Sequence, residues 1–81
     1  MYKLKDLQGA GMREDAIYNT KEEIIKDLCN FHNQDFSGTD RNNKTITIEE
    51  FFKIWHFETI NDQLDYLLDY GCWELVEIKG V

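Results

Sequence analysis

The stretch TINDQLDYLLDYGCWELVEI, from Thr59 to Ile78, changes its hydrophobic period part-way along. Up to Gly71 the apolar residues Ile60, Leu64, Leu67 and Leu68 recur at helical spacing. Thr59 followed by Asp62 supplies an N-terminal cap for that helix. Gly71 is expected to close it as the left-handed C′ residue. Beyond Gly71, the run from Cys72 to Ile78 is rich in strand formers. A helix that turns directly into a closing strand needs a second strand to pair with.

The N-terminus supplies one. Tyr2 and Leu4 alternate with Lys3 and Lys5, the pattern of a half-exposed strand. The two terminal strands are expected to form one small antiparallel sheet, with Lys3 and Lys5 available to Glu74 or Glu77. Gly9-Ala10-Gly11 breaks the first strand, and a short extended piece at Ala16-Ile17-Tyr18 is expected to pair back on it. Thr20 with Glu23 matches a capping box, and Ile24, Ile25, Leu28 and Phe31 then predict a helix from Lys21 to His32. Residues 35–44 are turn and loop chemistry. Thr47 with Glu50 repeats the capping signal ahead of Ile48, Phe51, Phe52 and Trp55, which form one apolar helix face. The expected fold is a single α+β domain over residues 1–81. Three short helices pack on a small antiparallel sheet that joins the N- and C-terminal strands.

Composition narrows the function classes. At 81 residues the chain has room for one domain, and 42% hydrophobic content is enough raw material for a compact core. No apolar stretch is long enough to cross a membrane, and the first residues lack the apolar run of a signal peptide, so cytoplasmic residence is the expectation. The net charge of −7 is unevenly distributed. Lys3, Lys5 and Arg13 against Asp6 make residues 1–13 basic, and the acidity belongs to the helical part. Binding to nucleic-acid phosphate requires clustered Lys and Arg, so a partner protein with a basic surface is the more natural target.

Between Glu58 and Glu77 lie six acidic side chains and no basic one. Asp62, Asp65 and Asp69 fall within roughly 60° of one another on a helical wheel, opposite the leucines. Tyr66 is expected on the same outward side. Glu58, Asp62, Asp65, Tyr66 and Asp69 are therefore the candidate partner-binding residues. A solvated helix face is the plain alternative for the aspartates, and the lack of any interleaved Lys or Arg argues against it. Of the aromatics, Phe51, Phe52, Trp55 and Phe57 read as core by spacing, and Trp73 as core or exposed anchor.

Other chemistry finds little footing. Thr45 to Phe51 resembles the end of an EF-hand loop, yet either register puts Arg41 and Lys44, or Phe51, where oxygen ligands or glycine belong. Cys29, His32, His56 and Cys72 have the count for a zinc site but not the spacing of a known finger. A Cys29–His32 nucleophile pair lacks a third group or oxyanion donor. Gly9-Ala10-Gly11 lacks the Lys-Ser/Thr ending of a phosphate loop. No cofactor or metal is expected, and no enzyme.

The passages AIYNTKEEIIKDLCNFHNQDF (16–36) and LDYLLDYGCWELVEI (64–78) resemble the small acidic accessory proteins of phages and mobile elements of Gram-positive bacteria. That resemblance implies a protein that binds and blocks a host factor in the host cytoplasm. Some anti-CRISPR and antirestriction proteins do so by presenting carboxylates where DNA phosphates would lie. The expected function is a non-enzymatic inhibitor of a host nucleic-acid-handling protein, acting through an acidic DNA-mimic surface. A structural or assembly component, homodimeric and charged for solubility, is the alternative.

Overall fold

The computed structural model describes residues 1–9 and 13–79. Its order is β1 (Tyr2–Asp6), α1 (Lys21–His32), α2 (Ile48–Ile54), α3 (Ile60–Gly71) and β2 (Trp73–Glu77), an α+β arrangement. β1 and β2 form a two-stranded antiparallel sheet in which Leu4 faces Leu75 and Lys5 faces Glu74. None of the helices among the described residues is long and apolar enough to cross a membrane.

Each helix begins where its cap requires. The hydroxyl oxygens of Thr20, Thr47 and Thr59 accept the backbone N–H of Glu23, Glu50 and Asp62 at 3.1–3.2 Å. This satisfies a donor the first turn would otherwise leave without a partner. At α1 the returning Glu23 carboxylate takes the N–H of Asn19, one residue before the cap, at 2.9 Å. α2 carries a second support: the side-chain oxygen of Asn33 accepts Ile48 N–H at 2.8 Å, tying the end of α1 to the start of α2.

The end of α3 differs from the expectation. The left-handed residue is Cys72, at φ 58° and ψ 50°, and Gly71 is still helical. Gly71 serves packing instead. A Cβ built there would overlap atoms of the Trp73 ring, so its lack of a side chain lets the indole lie across the helix end. Trp73 is thereby core, at 5% exposure. It joins Leu4, Ile24, Leu28, Ile48, Phe52, Leu64 and Leu67 in one buried cluster between sheet and helices.

The ladder parity decides which backbone groups face where. Leu7 N–H donates to Cys72 O at 2.9 Å and Ile78 N–H to Met1 O at 2.8 Å. With the observed register, Lys5–Glu74 and Lys3–Val76 are then the hydrogen-bonded pairs. Tyr2, Leu4 and Asp6 point their N–H and C=O away from β2. Tyr2 uses them on Tyr18, in reciprocal bonds of 2.7 and 2.8 Å, so the expected return pairing at Ala16-Ile17-Tyr18 is a single bridge. The same alternation puts Glu77 on the face of Tyr2 and Leu4, opposite to Lys3 and Lys5. Only Glu74 shares the lysine face. Gly9, at φ +75°, opens the glycine break after β1, and Ala10 and Gly11 lie outside the described residues.

Candidate functional site: an acidic ridge beside an aromatic flank

α3 is held by its leucines. Leu64 and Leu67 are buried against α1 and the sheet, and the opposite side of the helix faces solvent. Asp62, Asp65 and Asp69 are all exposed there, at the i, i+3 and i+4 spacings that make side chains neighbours. Among the described residues none of the three forms an ion pair. The cation that reaches the start of α3, Lys21, engages Asn61 Oδ1 at 3.3 Å. Glu58 is exposed ahead of the helix and lies 3.7 Å from His56 Nδ1.

The placement of Asp69 works against the helix. The backbone dipole favours acids near the N-terminus and bases near the C-terminus. α1 and α2 open with Glu22 and Glu23, and with Glu49 and Glu50, and α2 closes with Lys53. α3 has Asp62 in its first turn and no base in its last, where Asp69 stands. Asp65 and Asp69 are also like charges at i,i+4, which repel. Both positions would stabilise the helix more as Lys or Asn.

Tyr66 departs from the expectation of an outward side chain. It is half-buried, with its ring 5.1 Å from Phe57, 5.5 Å from Phe51 and 5.6 Å from Phe52. Helical geometry sets it roughly 40° beyond Asp62, on the flank of the ridge. The aromatic residues of α2 and of the following turn close over that flank, so α3 buries a wider arc than its leucine stripe implies. Burial raises the Tyr66 phenol above its ordinary value. The hydroxyl therefore stays protonated.

One turn further on, Tyr70 extends the flank at 39% exposure, with its ring 6.1 Å from Tyr66. Trp55, expected in the core, is 41% exposed. As the residue that caps α2, it lies beyond the packed turn. Its indole N–H donates to Thr39 O at 3.1 Å and its face carries the Arg41 guanidinium at 5.0 Å. The surface thus has two adjoining parts, a carboxylate ridge and a row of partly exposed rings running Trp55, Phe51, Tyr66, Tyr70. Tyr70 and Trp55 were not candidates from spacing. The signal for Tyr70 was present, since a residue next to Asp69 and four beyond Tyr66 must continue the same flank.

The other constellations do not assemble. Among the described residues no three His, Cys, Asp or Glu side chains are placed to hold a metal ion. Cys29 is buried and its thiol is pushed up to about 12, chiefly by burial, so it packs as a small hydrophobe. Asp40, at the head of the calcium-like loop, accepts the N–H groups of Asn42 and Lys44 on one oxygen at 2.8 and 3.0 Å, a side-chain-stabilised turn. His32 is a core residue between the rings of Phe31, Tyr70 and Trp73, with both ring nitrogens buried and, among the described residues, without a hydrogen-bond partner. Comparison with known proteins finds no matching family model, no matching curated protein and no matching solved structure.

Proposed function

We propose that this chain is a non-enzymatic binding module whose α3 ridge docks on a basic surface of a partner protein. The observation that carries the reading is the Asp65–Asp69 pair, whose like charges repel at i,i+4, with Asp69 further opposed by the helix dipole and neither carboxylate in an ion pair among the described residues. A helix face needed only for solubility would gain stability by mixing in Lys or Arg. Asp62, Asp65 and Asp69 span eight residues, about 10 Å of helix, a length that matches a short row of phosphates or a basic groove. Glu58 extends the row beyond the helix start.

Tyr66 and Tyr70 change the expected division of labour. Charge draws the partner in and orients it, and the partly exposed rings beside the ridge supply apolar contact once water is expelled. In the setting implied by the resemblance to phage accessory proteins, the partner is a host protein that handles nucleic acid, and the carboxylates stand in for phosphates. This function requires no cofactor.

The test is direct. Asp62→Asn, Asp65→Asn and Asp69→Asn together keep side-chain shape and remove the charge. The expected outcome is loss of partner recovery in a pull-down from host lysate, with the fold intact by circular dichroism. The wild-type complex should also weaken steeply as salt rises. Undiminished recovery by a folded triple variant refutes the reading.

A further inference from the structure

We infer that the outer edge of β2 pairs with the same edge of a second copy of this chain, related by a two-fold axis at Val76. The starting point is the ladder parity. Glu74 and Val76 direct their N–H and C=O toward β1, so Leu75 and Glu77 direct theirs to the opposite side. The sheet ends at β2, and no backbone hydrogen bond is made by the outward groups of Leu75 or Glu77 among the described residues.

The two edges of this sheet are treated differently. On β1 the outward groups of Leu4 also make no backbone bond among the described residues, but they are flanked on both sides: those of Tyr2 are bridged by Tyr18, and the Asp6 N–H is taken by the Glu14 carboxylate at 2.8 Å. β2 is short and carries Glu74 and Glu77, but it lacks the stronger blocks against strand addition. It contains no Lys and no Pro, and its five-residue register runs without a bulge. A two-stranded sheet with one obstructed and one open edge closes by a single two-fold operation. The result is a four-stranded sheet in the order β1-β2-β2′-β1′ that ends on both sides in the β1 edge, obstructed at Tyr2 and Asp6.

The sequence of β2 suits that register. A two-fold axis at Val76 sets Leu75 against Glu77 of the second copy, and both residues exchange N–H and C=O, giving four intermolecular bonds. Val76 then meets Val76, a β-branched pair favoured in strands. Glu74 faces Ile78 and Trp73 faces Lys79, so no acid stands directly opposite another acid. Leu75, Val76 and Ile78 are each half-exposed in the single chain, which leaves apolar area for the interface to cover. Because each copy carries a net charge of −7, self-association should tighten as salt rises. The salt dependence of ridge binding runs the other way, so the two surfaces can be told apart.

The experiment is sedimentation of the full chain over a range of concentrations, alongside Glu77→Pro and Glu77→Thr. Glu77→Pro deletes an outward N–H in each copy, two of the four intermolecular bonds, and leaves the β1 ladder intact because Tyr2–Glu77 is not a hydrogen-bonded pair. The wild type should form a dimer, Glu77→Pro should weaken it by roughly 10- to 100-fold, and Glu77→Thr should retain it. Amide hydrogen exchange of the wild type gives a reading independent of any variant. Leu75 and Glu77 amides should gain protection with concentration, whereas Glu74 and Val76 amides should be protected throughout. A wild type that stays monomeric overturns the inference. So does a dimer whose Leu75 and Glu77 amides exchange freely, since it must form elsewhere.

Discussion

Replacing Asp69 by Lys should stabilise the fold and abolish the proposed binding, and its size can be worked out from α3. Asp69 stands in the last turn of a helix with no base there, where the dipole opposes a negative charge and favours a positive one. Each of those terms is about 0.3–1 kcal/mol at an exposed site. The same change replaces an Asp65–Asp69 repulsion at i,i+4 with an acid placed four residues before a Lys, the better orientation, for roughly another 0.2–0.5 kcal/mol on each side. Asp69 is solvent-exposed, so screening holds the sum near the low end, about 1 kcal/mol. For a domain of this size that is a rise in Tm of about 4–8 °C. Thermal unfolding followed by circular dichroism at low salt reads it. The gain should shrink in about 1 M salt, where the Debye length is near 3 Å. If Asp69→Lys is neutral or destabilising at low salt, or its gain is indifferent to salt, Asp69 is not held against the helix's own electrostatics. The claim that the ridge is kept for binding would then lose its support.

Two further outcomes concern the core. His32 has a protonation equilibrium pulled below its ordinary value of 6.5, chiefly by burial, and Asp35, 3.8 Å from Nδ1, only partly offsets this. The unfolded chain therefore takes up a proton before the native one does, so stability should be full above about pH 6.5 and fall as pH drops toward the native value. His32→Phe removes two buried nitrogens that lack a hydrogen bond among the described residues; it should gain about 1–3 kcal/mol at pH 7.5 and flatten that acid slope, as urea titrations at several pH values would show. Gly71→Ala should destabilise by about 1–3 kcal/mol in the same assay, because its Cβ meets the Trp73 ring. The helix-propensity gain of Ala over Gly, roughly 1 kcal/mol, is the smaller term, so a net stabilisation would show that the indole does not rest on Gly71.

Local chemistry in this chain determines where its elements start and what they are. Three Thr caps, three apolar stripes, an alternating N-terminus and a C-terminal run of strand formers involve residues within one or two turns of each other, and all three helices and both strands follow from them. The acidic ridge belongs to the same class, since its exposure follows from the leucines opposite. What needed the third dimension is whatever depends on a neighbour distant in sequence. Tyr66 is drawn under Phe51, Phe52 and Phe57, and Trp55 is left outside because α2 ends beneath it. Gly71 yields the left-handed position to Cys72 so that Trp73 can cross the helix end. Glu77 parts from the lysines because the pairing register, not its own identity, sets its face. Periodicity tells a side chain which way to point from its own element; only packing between elements decides what meets it there.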